Sequence, residues 1–310
     1  MTVSRSPLNL AALATVALPG FTPVGAQPTT GPPGTDAALV QDSHRRHWLV
    51  LAPQHGAAGA ALEAEAALLK HLKELSDSGT LSFDVLDPKG WAPLEEGGNA
   101  CIYTAPSGDV LDFSRIEPRS RLARNLGRML GAIHEIPHST PEDLGFATYD
   151  SEEYRARRLV ELDEAARTAH IPTRLLRRWE QALENVALWK FSPVVSHNDL
   201  AAEQVLVDGD SITTVLGWSQ CQVADPADDL AWLLAALPDD TIDTVIESYA
   251  LARQEEPDPH LQTRALLAGE LAVARWLMHG VRADDEEIIK DAVHMLQELD
   301  ADVADTPLTK

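Results

Sequence analysis

Cysteine is scarce in this chain. Cys101 and Cys221 are its only two in 310 residues, far apart and with no ligand-like spacing around them, which excludes a disulfide framework and a thiolate zinc site. That usage fits a reducing cytoplasm. Basic charge is scarce too. Against 48 Asp and Glu stand 25 Lys and Arg, a formal net charge of −23, which argues against a protein that holds nucleic acid by neutralising phosphates. The excess acid suits a neutral or cationic small partner, or does no more than solubilise the surface. No apolar run is long enough to cross a bilayer, so no membrane association is expected. The opening MTVSRSPLNLAALATVALPGFTPVGAQ imitates a signal peptide, but its basic part is Arg5 alone and its apolar run is broken by Asn9, Thr15 and Pro19. It predicts a short amphipathic helix ending at Pro19-Gly20. HRRH, with His44 and His47, reads as a polar turn and not a metal site.

What is present is enough apolar sequence for a sizeable core, 45% of residues with 24% charged, in one large domain or two lobes. Residues 21–53 alternate short apolar runs with turn residues (FTPVGA, AALVQ, HWLVLAP) and predict two or three antiparallel strands. AALEAEAALLKHLKEL places Leu62, Leu68, Leu69, Leu72 and Leu75 at helical spacing. LSFDVL and ACIYTAP read as further strands around a Gly97-Gly98-Asn99 loop. From residue 118 the pattern is helical, in RSRLARNLGRMLGAIHEI, SEEYRARRLVELDEAARTA, TRLLRRWEQALENVALW and again after residue 228. Only EQVLVDGDSITTVLGW interrupts, as a hairpin about DGD. The expected organisation is α+β: a sheet lobe with one helix over residues 1–105 and a mainly helical lobe over 106–310, divided at APSGD.

The stretch with most chemistry in it is VVSHNDLAAEQVLVDGDSITTVLGWSQCQVADPADDLAWLL, residues 194–234. His, Asn and Asp together before a hairpin hold Asp199 at a tight turn, where a carboxylate can orient and deprotonate a hydroxyl. Phosphoryl transfer asks little more of a protein than that, apart from metal ligands that neutralise phosphate charge.

SHNDLAAEQVLV, then TTVLGW, then DPADDLA resembles the ordered motifs H-G-D-L-x-x-x-N-V-L-V, I-D-W and D-P-x-x-D-L-A of the aminoglycoside and macrolide phosphotransferase family. The likeness extends more weakly over EAEAALL and LGRMLGAIHEIP. It implies a protein-kinase-like two-lobed fold, with a small antiparallel-sheet lobe and a larger helical lobe. It also implies ATP or GTP with Mg2+ as cofactors of an active member, and a small-molecule acceptor such as an antibiotic, amino-sugar or alcohol. By the same resemblance Asp199 is the catalytic base, His197 supports its loop, and Asp229 braces that loop through backbone hydrogen bonds. Asp225, before Pro226, reads as a helix cap instead.

The departures cluster on one function. Gln204 stands where the family has its magnesium-binding asparagine and carries its amide oxygen one methylene further out. Gly217 stands where the family has its second ligand, an aspartate. At about 1.4 kcal/mol per power of ten, losing a contact of several kcal/mol slows transfer by roughly two to four powers of ten. In the sheet lobe, Leu51 stands at the strand position of the nucleotide-binding base, which leaves Glu65, with Glu63 as the alternative, without its usual partner. QPTTGPPGT, with Pro32 and Pro33, offers few N–H donors for phosphates and reads as a turn. Substitutes for the missing ligand would be Asp208, Asp210 or Asp225. Two readings follow, a small-molecule kinase and a pseudokinase-like binding protein. An unrelated helical domain would lack the sheet lobe.

Overall fold

A computed structural model describes residues 4–303 and 308 of the chain. The chain divides into two compact units, Met1–Asp112 with Asp199–Gln220, and Phe113–Asn198 with Cys221–Lys310. The hairpin after Asp199 falls in the same unit as the sheet.

In the first unit a five-stranded antiparallel sheet runs in the order β1-β2-β3-β5-β4. Its strands are β1 (Pro23–Pro28), β2 (Thr35–Asp42), β3 (His47–Pro53), β4 (Pro88–Pro93) and β5 (Asn99–Thr104). Helix α1 (Pro7–Ala17) begins with Pro7 after a Ser6 cap that accepts the Asn9 N–H. It buries Leu10, Ala11 and Ala14 against Val40, Val50, Ala52 and Ile102 of the sheet. Side chains alternate across a strand, so Leu51 and its register partner Cys101 point to the other face. Helix α2 (Gly56–Asp77) buries Leu62, Leu68, Leu69 and Leu72, the spacing that predicted it. The unit is completed by β6 (Asp109–Val110), β8 (Val205–Asp208) and β9 (Ser211–Val215), in the order β6-β8-β9.

One expected strand needs correction, and one strand lies outside the expectation. LSFDVL is not a strand: only Asp84 bridges, giving its N–H to the Thr213 carbonyl and accepting from Val215, while Leu81, Phe83 and Val85 turn inward as isolated core contacts. Phe83 stacks on Trp218 with ring centroids 6.4 Å apart. The strand that pairs with β5 is instead PKGWAP, whose terminal prolines hide its character.

In the second unit the elements are α3 (Arg121–His134), the short α4 (Ser139–Glu142), α5 (Ser151–Ala166), α6 (Thr173–Glu184), β7 (Val194–Ser196), β10 (Gln222–Ala224), α7 (Asp228–Ala236), α8 (Asp239–Ala252), α9 (Leu261–Ala283) and α10 (Glu286–Asp302). β7 and β10 pair antiparallel and support the two ends of the motif region. Helix α5 starts in a full capping box, Asp150 with Glu153. Gly127 explains why α3 and α8 lie so close: a Cβ there would meet the Val245 carbonyl oxygen at 2.3 Å. Trp179 is fully buried in the main core of this unit, and its indole N–H donates to Glu270 Oε2 at 2.7 Å.

Candidate active site

The loop before Asp199 is held from below by one carboxylate. Asp229, fully buried, accepts the His197 N–H at its Oδ2 (2.7 Å) and the Asn198 N–H at its Oδ1 (2.7 Å). The Ser196 hydroxyl lies 3.4 Å from Oδ1, and His134 Nε2 lies 3.2 Å from Oδ2. His134 Nδ1 is 2.8 Å from the Tyr249 hydroxyl, so a neutral His134 with its proton on Nε2 satisfies both neighbours. Burial lowers the His134 pKa, and the Asp229 carboxylate opposes that shift. Burial alone would raise the Asp229 pKa, but the hydrogen bond from His134, with the backbone donor, holds it below the ordinary carboxylate value. Above the brace, Asn198 adopts the left-handed conformation at φ 64°, a region asparagine tolerates, and the chain leaves it with Asp199 exposed. His197 itself is buried.

Beyond Asp199 the departures prove to be physically linked. Gln204 is pinned opposite residue 217, because its carbonyl accepts the Leu216 N–H at 2.8 Å. Gly217 has φ 80°, and a Cβ built on it would lie 2.7 Å from Gln204 Oε1 and 2.9 Å from Gln204 Cδ. The longer side chain thus fills the volume that a residue-217 side chain would enter. One residue on, the Trp218 N–H donates to Glu65 Oε1 at 2.8 Å. Glu65 is buried, and its pKa is raised to about 7, first by burial and also by the charge of Asp199, with the Trp218 N–H opposing. Glu65 therefore has a backbone N–H as its recorded hydrogen-bond partner. Glu63, the alternative, is exposed and accepts from Asn99 Nδ2 at 3.1 Å.

A model of the phosphotransferase enzyme family matches residues 33–267, most of the chain. The chain belongs to that family. The chain is similar to the uncharacterized protein YcbJ of Bacillus subtilis (strain 168), 23% identical over 201 residues, which are 63% of this chain and 66% of that relative's own length. Among solved structures it resembles the apoenzyme of macrolide 2'-phosphotransferase MphH from Brachybacterium faecium, with 20% identity, a TM-score of 0.80 and coverage of 94% and 98% of the two chains. It is also similar to the GDP and kanamycin complex of APH(2")-IIia, with 16% identity, a TM-score of 0.77 and coverage of 95% and 99%. These likenesses establish a kinase-like fold.

Leu51 stands where the motif resemblance would put a nucleotide-binding base. Leu51 is buried, and its Cδ2 lies 3.6 Å from where a Cβ on Gly31 would stand, so it supports the 29–34 turn from beneath. Arg46, in the preceding turn, is largely exposed, with its Nε paired with the buried Asp42 at 2.7 Å and its guanidinium over Trp48. The residues also fit a magnesium ion poorly. Of the two positions that the motif resemblance would make ligands, Gly217 has no side chain and Gln204 turns into the gap beside it. Among the described residues no group of three or more His, Cys, Asp and Glu could hold a metal. Asp208 and Asp210 are exposed on the hairpin turn.

Asp225 is likewise engaged. Its Oδ1 accepts the Ala227 N–H at 2.9 Å within the turn before α7, but the expected helix cap is not formed, because the helix begins at Asp228 after Ala227 with no side-chain cap; Asp225 instead pairs with fully buried Arg264 at 2.7 Å, and Arg264 reaches Asp258 at 2.7 Å. The sequence carried no signal for this triad, because Arg264 lies 39 residues away inside an ordinary helical pattern. No helix of the described residues is long and apolar enough to cross a membrane.

Proposed function

We propose that this phosphotransferase descends from small-molecule kinases and keeps their acceptor side, with Asp199 as the base for a hydroxyl and His197 and Asp229 holding its loop, while its nucleotide and metal side is degraded. Transfer from ATP or GTP to a small hydroxylated molecule is then slowed by several powers of ten. Relatives seen with GDP and kanamycin support the substrate class. The observation that carries the reading is the Gln204 amide standing 2.7 Å from the Cβ position of residue 217, where a metal-binding carboxylate would begin. A pure binding role, without transfer, is favoured by Leu51, since a leucine cannot neutralise phosphate.

Thermal shift with 1 mM ATP or GTP, with and without magnesium, tests this. A ligand a hundredfold above its Kd adds about 2.7 kcal/mol to stability, enough for a shift of several degrees. The expected result is a shift under about 1 °C, on the same scale, that does not depend on magnesium. A magnesium-dependent rise of several degrees would overturn the degraded-site reading.

A further inference from the structure

The helical unit contains a cleft of about 410 Å³ between α5 and α9, within the size range of small-molecule sites. Its lining combines Arg157, Arg158, Arg275 and Arg282 with apolar side chains such as Leu271 and Met278. In a chain of net charge −23 four arginines around one cavity run against the composition.

Three of them are matched locally. Arg157 Nε pairs with Glu161 Oε1 at 2.9 Å and its guanidinium lies over the Tyr149 ring. Arg158, nearly buried, spans Glu161 Oε2 at 2.8 Å and Asp228 Oδ1 at 3.0 Å, and also donates to the Tyr154 hydroxyl. Arg282 pairs with Glu164 at 3.0 Å. Arg275 differs: it has no carboxylate partner among the described residues, and its one recorded hydrogen bond is a long 3.4 Å contact to the Ala268 carbonyl. Its side chain is exposed, so its charge is open to a molecule entering the cleft. Glu161 and Glu164 are already taken, so the cleft is left with one unmatched positive charge beside apolar walls. Asp228, behind Arg158, directly precedes the Asp229 that holds the His197 and Asn198 N–H groups.

We propose that the cleft between α5 and α9 binds a small organic carboxylate with an apolar body, and that Arg275 receives its charge. The cationic acceptor suggested by overall composition gives way here to the opposite class, because the local charge, not the net charge, meets a bound molecule. That such a molecule is also the substrate rests on the function proposed above; the preference for an anion does not.

Three compounds with one hydroxyl-ended ten-carbon body separate charge from shape: 10-hydroxydecanoate, 1,10-decanediol and 10-aminodecan-1-ol. Calorimetric titration of the full chain at pH 7.5 and low salt is expected to show the carboxylate binding about tenfold tighter than the diol, and the amine more weakly than either. Arg275→Glu should abolish the carboxylate's advantage and Arg275→Lys should keep most of it; a side chain with a single long contact can be replaced without unfolding, which unchanged thermal midpoints would verify. Equal or tighter binding of the amine, an undiminished carboxylate affinity in Arg275→Glu, or no binding of any of the three at millimolar concentration would each overturn the proposal. GDP titration of the same protein keeps the two readings apart: magnesium-dependent GDP binding would overturn the degraded-site reading and, with carboxylate binding intact, leave the anion site standing.

Discussion

Asp229 in the helical unit and Glu65 in the sheet unit are both buried carboxylates that accept backbone N–H groups beside motif residues, yet their acidities move in opposite directions. Asp229 collects two backbone N–H groups and His134, and its pKa is held down although burial raises it. Glu65 has one recorded N–H donor, from Trp218, and feels the negative charge of Asp199, so burial wins and its pKa rises to about 7. A buried charge is sustained by the number of donors converging on it, not by its motif ancestry. On the function proposed above, the brace under the Asp199 loop keeps its donors, while Glu65 lacks the base that would have charged it.

Breaking the stronger of the two should have the larger effect. Asp229→Ala leaves the His197 and Asn198 N–H groups and the His134 ring without their acceptor in a fully buried place. Orphaning groups of that kind costs about 3–5 kcal/mol, so a large drop in urea-unfolding free energy is expected. A loss below about 1 kcal/mol would mean that the loop is held by something else.

The opposed pKa shifts give a second, smaller contrast. Glu65 has a folded pKa of about 7 above a reference value of 4.5, so its neutral form is favoured on folding. Its contribution is complete below pH 4.5 and is lost as pH rises through about 7. Asp229, with a lowered folded pKa, contributes above the unfolded value and loses that contribution as the solution is acidified through its folded pKa. Glu65→Gln can still accept from the Trp218 N–H but does not titrate. Subtracting its unfolding free energy from that of the native chain, pH by pH, should give a curve falling by on the order of 3 kcal/mol between pH about 4.5 and about 7. A flat difference would show Glu65 to be ionised in the folded protein.

Helical periodicity made α2, α3 and α5 legible in the sequence, and the DGD turn with Gly209 at φ 59° made the β8–β9 hairpin so. The motif order was enough to indicate the family and the kinase-like fold. PKGWAP was missed because its partner strand, more than local pattern, makes it a strand. LSFDVL misled because its alternating apolar residues are satisfied by single contacts such as Phe83 on Trp218. In the site, the identities of Leu51, Gln204 and Gly217 could be read directly, but each was read as a separate loss. That Gln204 occupies the space of Gly217 is a fact of distance that no spacing encodes, and the same is true of the Asp225–Arg264–Asp258 triad.

That occupied space also sharpens the comparison at the nucleotide side. If Gly217 were merely a deleted ligand, Gly217→Asp alone would restore the site. The structure argues for a dependence on residue 204. At φ 80° an aspartate is strained by about 1–2 kcal/mol, and its Cβ would stand 2.7 Å from Gln204 Oε1, so the glutamine must swing away. Shortening that arm by one methylene in Gln204→Asn retracts the amide and leaves the strain but removes the clash. The expected outcome is that Gly217→Asp alone lowers stability by about 1–3 kcal/mol, whereas adding Gln204→Asn recovers about 1 kcal/mol of it, a favourable coupling in a double-mutant cycle. The double variant should also show the larger magnesium-dependent thermal shift with GTP. Strict additivity within about 0.3 kcal/mol would mean that the glutamine moves freely, and the two departures would then be independent losses.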